Sequence, residues 1–248
     1  MTSETLRVLI VDDEPLARRG LRKDLASDPT IQVVGDCGDG FEAVRLAAEL
    51  KPDLIFLDIQ MPRLDGFEVL ELLDPEIAVI FVTAHDEHAV RAFEVNAVDY
   101  LLKPVDPERL RASLERARRR RGRRPPLPVA ALAAASQSAG SPLTRILVKD
   151  GAKVHVLPIE SIDYIQAQDD YIELHAAGKS HLKQQTLGEV EQRLDPNRFV
   201  RIHRSYLLNV DRIARIELIA KDSRLVILKD GTQLPLSRSG HTRLKEML

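Results

Sequence analysis

Apolar residues in the first half of the chain gather into short unbroken runs, separated by stretches where they recur every three or four positions. The runs are Leu6–Val11, Ile31–Gly35, Leu54–Leu57, Ala78–Val82 and Val98–Leu102. Continuous aliphatic residues over so short a length suit strands covered on both faces. Between them, Pro15–Leu25, Gly40–Leu50, Leu64–Leu73, Glu87–Val95 and Pro107–Arg118 carry helical spacing. Strand and helix alternating five times predict an α/β fold, a doubly wound five-stranded parallel sheet whose ligands bind at the carboxyl ends of the strands.

From Arg116 the texture changes twice. The last helix runs out in arginines, and PPLPVAALAAASQSAGSP then has the make-up of a linker, with little to bury. Beyond it Ile146–Lys149, Lys153–Leu157, Ile162–Ala167, Tyr171–His175, Ser180–Gln184, Phe199–Ile202, Arg212–Ile219, Leu225–Leu228 and Gln233–Leu236 read as short strands broken by turns such as Lys149-Asp150-Gly151. Helices are expected only at about Leu187–Leu194 and from Gly240. The expected organisation is a first domain over 1–120, a linker over 121–142 and a mainly β domain over 143–248. No two helices flank a tight turn, so a recognition-helix output is disfavoured.

Charge sharpens this division. Residues 1–115 carry a net −12, residues 116–124 add +7 and residues 143–248 add +3, which together make the −2 of the whole chain. Five of the seven histidines follow residue 150, so the C-terminal part is the better partner for a polyanion. The single cysteine, Cys37, excludes an internal disulfide. No apolar run reaches the roughly 18 residues that span a bilayer, and MTSETLRVLIVDDE lacks the features of a secretory signal. A soluble, cytoplasmic protein without membrane contact is expected.

The predicted fold brings together Asp12 and Asp13 after the first strand, Asp58 after the third, Thr83 at the end of the fourth and Lys103 after the fifth. Crowded carboxylates repel one another unless a cation sits among them. Mg²⁺ suits oxygen ligands that also face a phosphate, and a carboxylate becomes a nucleophile toward phosphorus when cations neutralise the developing charge. With LIVDDEPLAR, FLDIQMPRLDG, FVTAHDE and VDYLLKP, residues 5–120 resemble the flavodoxin-like receiver domain of two-component response regulators. The resemblance implies that Asp58 accepts a phosphoryl group from a sensor histidine kinase. It further implies that Asp12, Asp13, Asp58 and the main-chain carbonyl of Gln60 hold Mg²⁺, that Thr83 and Lys103 contact the phosphoryl group, that Tyr100 is the switch, and that the peptide bond before Pro104 is cis. Movement of Thr83 and Tyr100 would remodel the face made by Glu87–Val95, Val98–Leu102 and Pro107–Arg118, where a homodimer contact is expected.

In the second domain, NRFVRIHRSYLLNVDRI sets Arg198, Arg201, His203 and Arg204 beside Tyr206. Alternation puts Phe199, Arg201 and His203 on one strand face and Val200, Ile202 and Arg204 on the other, so the strand is expected to break near His203 and project a loop. By itself the cluster suits either a basic surface strand or a nucleic-acid contact. Residues 143–247 resemble a LytTR-type DNA-binding domain, carried by ILVKDGAKVHVLPIESIDYIQAQDDYIELH, TLGEVEQRL, FVRIHRSYLLNVDRI and LPLSRS. That resemblance implies double-stranded promoter DNA as partner. Its implied contacts are Asp169, Asp170 and Tyr171, His203 and Arg204, and Arg238, with Lys183, Arg201 and Lys221 on phosphates. Arg204 and Arg238 are the candidates for guanine, whose two acceptors fit a guanidinium fork. The arginines at 116–124 read as a solvated helix end. No Gly-rich phosphate loop, His-Glu-x-x-His or Gly-x-Ser-x-Gly element suggests an enzymatic output. The alternative is a receiver controlling a protein-interaction or RNA-binding β module.

Overall fold

The computed structural model describes residues 5–84, 97–120, 142–151, 153–220 and 223–247. The helix expected over Glu87–Val95, nearly all of the linker and Lys221 lie outside them. The chain divides into two compact units.

In the first unit, strands β1 (Leu6–Val11), β2 (Ile31–Cys37), β3 (Leu54–Leu57), β4 (Ala78–Thr83) and β5 (Asp99–Leu102) form one sheet in the order β2-β1-β3-β4-β5. Every pair is parallel. Helices α1 (Pro15–Leu25), α2 (Gly40–Leu50), α3 (Gly66–Leu72) and α4 (Pro107–Arg120) connect or follow them. Alternate residues of β1 serve opposite faces. Leu6, Val8 and Ile10 pack with Leu21 and Leu25 of α1 and Leu110, Leu114 and Ala117 of α4, while Leu9 and Val11 are buried on the other side. This is why the strands read as unbroken apolar runs.

Helix α3 begins at Gly66, two residues after the start that its apolar spacing suggested. Asp65 is its N-cap, accepting from the Glu68 N–H at 2.8 Å while Glu68 accepts from the Asp65 N–H at 3.0 Å, a reciprocal cap that sets the boundary. At the far side of the sheet α4 is latched through buried Asp99, which accepts from the Ser113 hydroxyl and from Arg116 at 2.5 Å. Thr30 and Arg118 both donate to Asp28 and hold its carboxyl down at about 2.

The rest of the chain, which holds the second unit, is β-rich. Strands β6 (Arg145–Asp150) and β7 (Lys153–Pro158) form a ribbon. Next come β8 (Ile162–Gln168), β9 (Tyr171–Ala176), β10 (Lys179–Gln184), the short helix α5 (Leu187–Glu191), β11 (Phe199–His203) and β12 (Tyr206–Asn209). Last are β13 (Ile213–Ala220), β14 (Ser223–Leu228), β15 (Gln233–Leu236) and α6 (Arg238–Met247). The antiparallel sheet β10-β9-β8-β12-β11 is a middle layer between two cores. Ile165, Ile172, Phe199 and Leu207 enter one core, and Val200, Ile202 and Leu208 enter the other. Burial on both faces explains why period-2 reading overlooked β12: its Leu207, Leu208 and Asn209 are all buried, so no polar alternation marks it.

Gly66 joins fold to site. A Cβ there would overlap the Asp58 carbonyl oxygen and approach the Ile59 Cα to 2.9 Å, both rigid backbone. Gly66→Ala is therefore expected to cost about 1–3 kcal/mol of stability through overpacking, read as a lower urea midpoint at unchanged m-value.

Candidate acidic pocket and basic sheet end

Main-chain bonds carry the strand ends of the first unit into one pocket. The Asp12 N–H donates to the Cys37 carbonyl at 3.1 Å, the Asp58 N–H to Val11 at 2.8 Å and the Lys103 N–H to Thr83 at 2.8 Å. The Lys103–Pro104 peptide is cis, as the family resemblance suggested. Lys103 Nζ then lies 2.8 Å from Asp12 Oδ2, 2.7 Å from Asp58 Oδ2 and 3.4 Å from Glu14 Oε1. Asp12 and Asp58 are 5% and 4% exposed. Burial raises the Asp12 carboxyl above its ordinary range, although Lys103 pulls the other way. Burial would lower the Lys103 ammonium, yet its bonds to Asp12 and Asp58 overcome that and raise it.

Ligand oxygens of Asp12, Glu14 and Asp58 lie within 4.8 Å of one another. Asp13 is exposed and stands outside this trio. Gln60 is exposed, and its N–H donates to Asp58 Oδ1 at 3.3 Å. Thr83 is fully buried, and its hydroxyl has no hydrogen-bond partner among the described residues. A buried hydroxyl of that kind loses free energy unless something else satisfies it. Tyr100 is 7% exposed and pairs with Phe81 across β4 and β5. One feature passed unremarked in the sequence: Arg18, a turn into α1, donates to the Asp12 carbonyl at 2.6 Å and meets Asp36 at 3.1 Å, tying that helix to the pocket.

In the second unit almost every residue singled out by sequence stands at one end of the middle sheet. The register pairs Gln168 with Tyr171, Lys183 with Ile172 and Tyr206 with both Gln166 and His203. Hence the Asp169-Asp170 turn, the end of β10 and the Arg204-Ser205 turn lie side by side, and the Ala167 N–H donates to the Ser205 carbonyl at 2.9 Å. Asp169 has φ +49, a left-handed conformation that aspartate tolerates. Arg204 and Arg238 are exposed. Two expected phosphate partners are engaged internally. Lys183 Nζ donates to the Leu147 carbonyl at 2.7 Å, and Arg201 bridges Glu191 at 2.9 Å and the Arg204 carbonyl at 2.7 Å.

Comparison with known proteins agrees with both halves. The description of a response regulator receiver domain matches residues 8–115, and that of a LytTr DNA-binding domain matches residues 152–248. The transcriptional regulatory protein BtsR of Escherichia coli is 36% identical over 247 residues, covering 98% of this chain and 99% of that protein. Response regulatory proteins of Vibrio vulnificus and Vibrio cholerae are 36% and 37% identical, each alignment covering 98% of both chains. The chain belongs to the response regulators with a LytTR DNA-binding domain. It is a phosphorylation-controlled DNA-binding regulator, and the expected flavodoxin-like sheet joined to a mainly β domain is what the regulator has. No described helix is long and apolar enough to cross a membrane.

The regulator's pocket depends on one ammonium. With Lys103→Met in chelator, the buried carboxylates of Asp12 and Asp58 face each other without a cation, a loss of about 3 kcal/mol or more. The Asp12 carboxyl, which burial already raises, then loses the ammonium that opposed the shift, so the native state binds more protons than the unfolded chain and part of the loss returns as pH falls from 7 toward 5. Urea titrations at the two pH values read both effects.

Proposed function

We propose that Asp58 is the phosphoacceptor of this regulator and that Mg²⁺ occupies the acidic pocket. The single observation behind the reading is the convergence of Lys103, two buried carboxylates and the unpartnered Thr83 hydroxyl at the strand ends. The donor set fits a hard cation, because the side chains that could ligate it, Asp12, Glu14 and Asp58, all offer carboxylate oxygens. Asp12, Asp58 and the Gln60 carbonyl would hold it, with a further acidic ligand from Asp13 or Glu14. When bound, Mg²⁺ supplies positive charge beside the phosphoryl oxygens. An Asp58 carboxylate oxygen attacks phosphorus on a sensor histidine kinase's phosphohistidine; the P–O bond forms as the P–N bond breaks, and the imidazole leaves. Lys103 Nζ neutralises the product, and Thr83 donates its hydroxyl hydrogen to a phosphoryl oxygen. The movement of Thr83 lets Tyr100 turn, altering the β5–α4 face and favouring a homodimer.

The domain division 1–120, 121–142 and 143–248 accords with this role, which is regulatory and cytoplasmic rather than enzymatic. In the output domain Arg204 and Arg238 read base edges in promoter DNA, His203 and Tyr171 contact it beside them, Lys221 meets phosphates, and Lys183 holds the Leu147 carbonyl. Arg201 holds the Arg204 turn, and Asp169 with Asp170 shapes the neighbouring one.

Incubation with Mg²⁺ and acetyl phosphate tests the pocket. One phosphoryl group is expected by mass in the wild type and none in Asp58→Asn, whereas equal uptake by the variant would remove Asp58 from this role. On DNA selected from a random pool, Arg204→Ala is expected to weaken binding by about 1–3 kcal/mol at the selected guanine step alone. Uniform weakening on every duplex would make Arg204 a phosphate contact instead.

A further inference from the structure

The Arg204 turn and Arg238 come from segments more than thirty residues apart, yet they are joined at a single main-chain oxygen. Strand β11 bulges between Arg201 and His203, so the two strands slip by one residue there. A bulge takes the extra residue out of the ladder, and the Ile202 carbonyl instead accepts from the Ser237 N–H and the Ser237 hydroxyl, each at 2.9 Å. That same hydroxyl oxygen accepts from the Gly240 N–H at 3.0 Å, capping α6 immediately before Arg238. Gly240 completes the join. It is buried, and a Cβ on it would overlap the Ile202 carbonyl oxygen and approach the Ile202 Cα to 2.7 Å. Ile202 itself is fully buried, so the strand cannot retreat. Arg243, on the next turn of α6, donates to the Arg201 carbonyl at 3.2 Å and braces the same contact.

We propose that Ile202, Ser237 and Gly240 form a clasp that sets the spacing between Arg204 and Arg238, and that Ser237 and Gly240 are thereby specificity-determining positioning residues for DNA. The inference rests on the reading that these two arginines meet base edges. Two guanidinium forks held at one separation can satisfy two base steps together only where the groove presents guanines at that separation. If the clasp opens, each arginine still reaches phosphates, and discrimination falls while general affinity remains.

The test uses the full chain, phosphorylated with acetyl phosphate and Mg²⁺, on the duplex selected by the wild type and on a shuffled duplex. The ratio of the two affinities and the salt slope are read at a temperature where circular dichroism shows every variant folded. Ser237→Ala and Gly240→Ala are expected to lower the ratio about tenfold or more with an unchanged salt slope. Ser237→Thr, which keeps both donor and acceptor, is expected to restore it. A general weakening of the domain would lower both affinities together, and that result overturns the clasp. So does a wild-type ratio in Ser237→Ala, which needs no information from Gly240→Ala should that variant fail to fold. If the wild type selects no duplex at all, the base-reading role of the arginines fails first, and the clasp with it.

Discussion

Two carboxylates enclosed within reach of each other cannot both stay ionised without a nearby cation, and Lys103 is that cation in the resting pocket. Its ammonium sits between Asp12 and Asp58 because β5 lies beside β4, and β4 beside β3, so that the fifth strand delivers its next residue to the same edge as the third. The rest of the first unit can be understood as support for this arrangement. Arg18 grips the Asp12 carbonyl from α1, and Gly66 lets α3 start against the Asp58 backbone. Concentrated charge that is held rather than relieved is also what makes the site responsive. A dianionic group placed on Asp58 would change the balance that Lys103 now maintains, and the Thr83 hydroxyl is buried with no hydrogen-bond partner among the described residues.

The output unit follows a different principle. Its chemistry is not buried but presented, on adjacent turns at one end of a sheet whose two faces both serve as core. Rigidity there comes from main-chain bonding between elements distant in sequence. The Ser205 carbonyl is held by Ala167, and the Ile202 carbonyl by Ser237. Arg201 shows how a basic residue in a basic cluster can be spent on geometry: its guanidinium is occupied by Glu191 and by the Arg204 carbonyl. Charge count could not separate that arginine from its neighbours.

Much of the regulator was legible in its residues. Unbroken apolar runs mark buried parallel strands because both faces of the sheet are covered, and β1, β3, α1 and α2 begin and end where that reasoning put them. The acidic and basic residues at the strand ends were equally visible, since a doubly wound topology sends the ends of its strands to one edge. Boundaries set by caps were less so. The reciprocal Asp65–Glu68 pair moved the start of α3 inward, and the Ser237 cap moved the start of α6 outward from Gly240 to Arg238.

Local sequence, then, was enough for most of the elements and for the division between an α/β half and a β half, because hydrophobic period depends on near neighbours. The folded chain alone decided which groups touch. It placed Glu14 rather than Asp13 in the acidic trio, turned Arg201 inward, made β12 a central strand, and brought Gly240 against Ile202. Each of these is a contact between residues whose separation along the chain, or whose side-chain direction, no periodicity encodes; packing and hydrogen bonding in three dimensions select it.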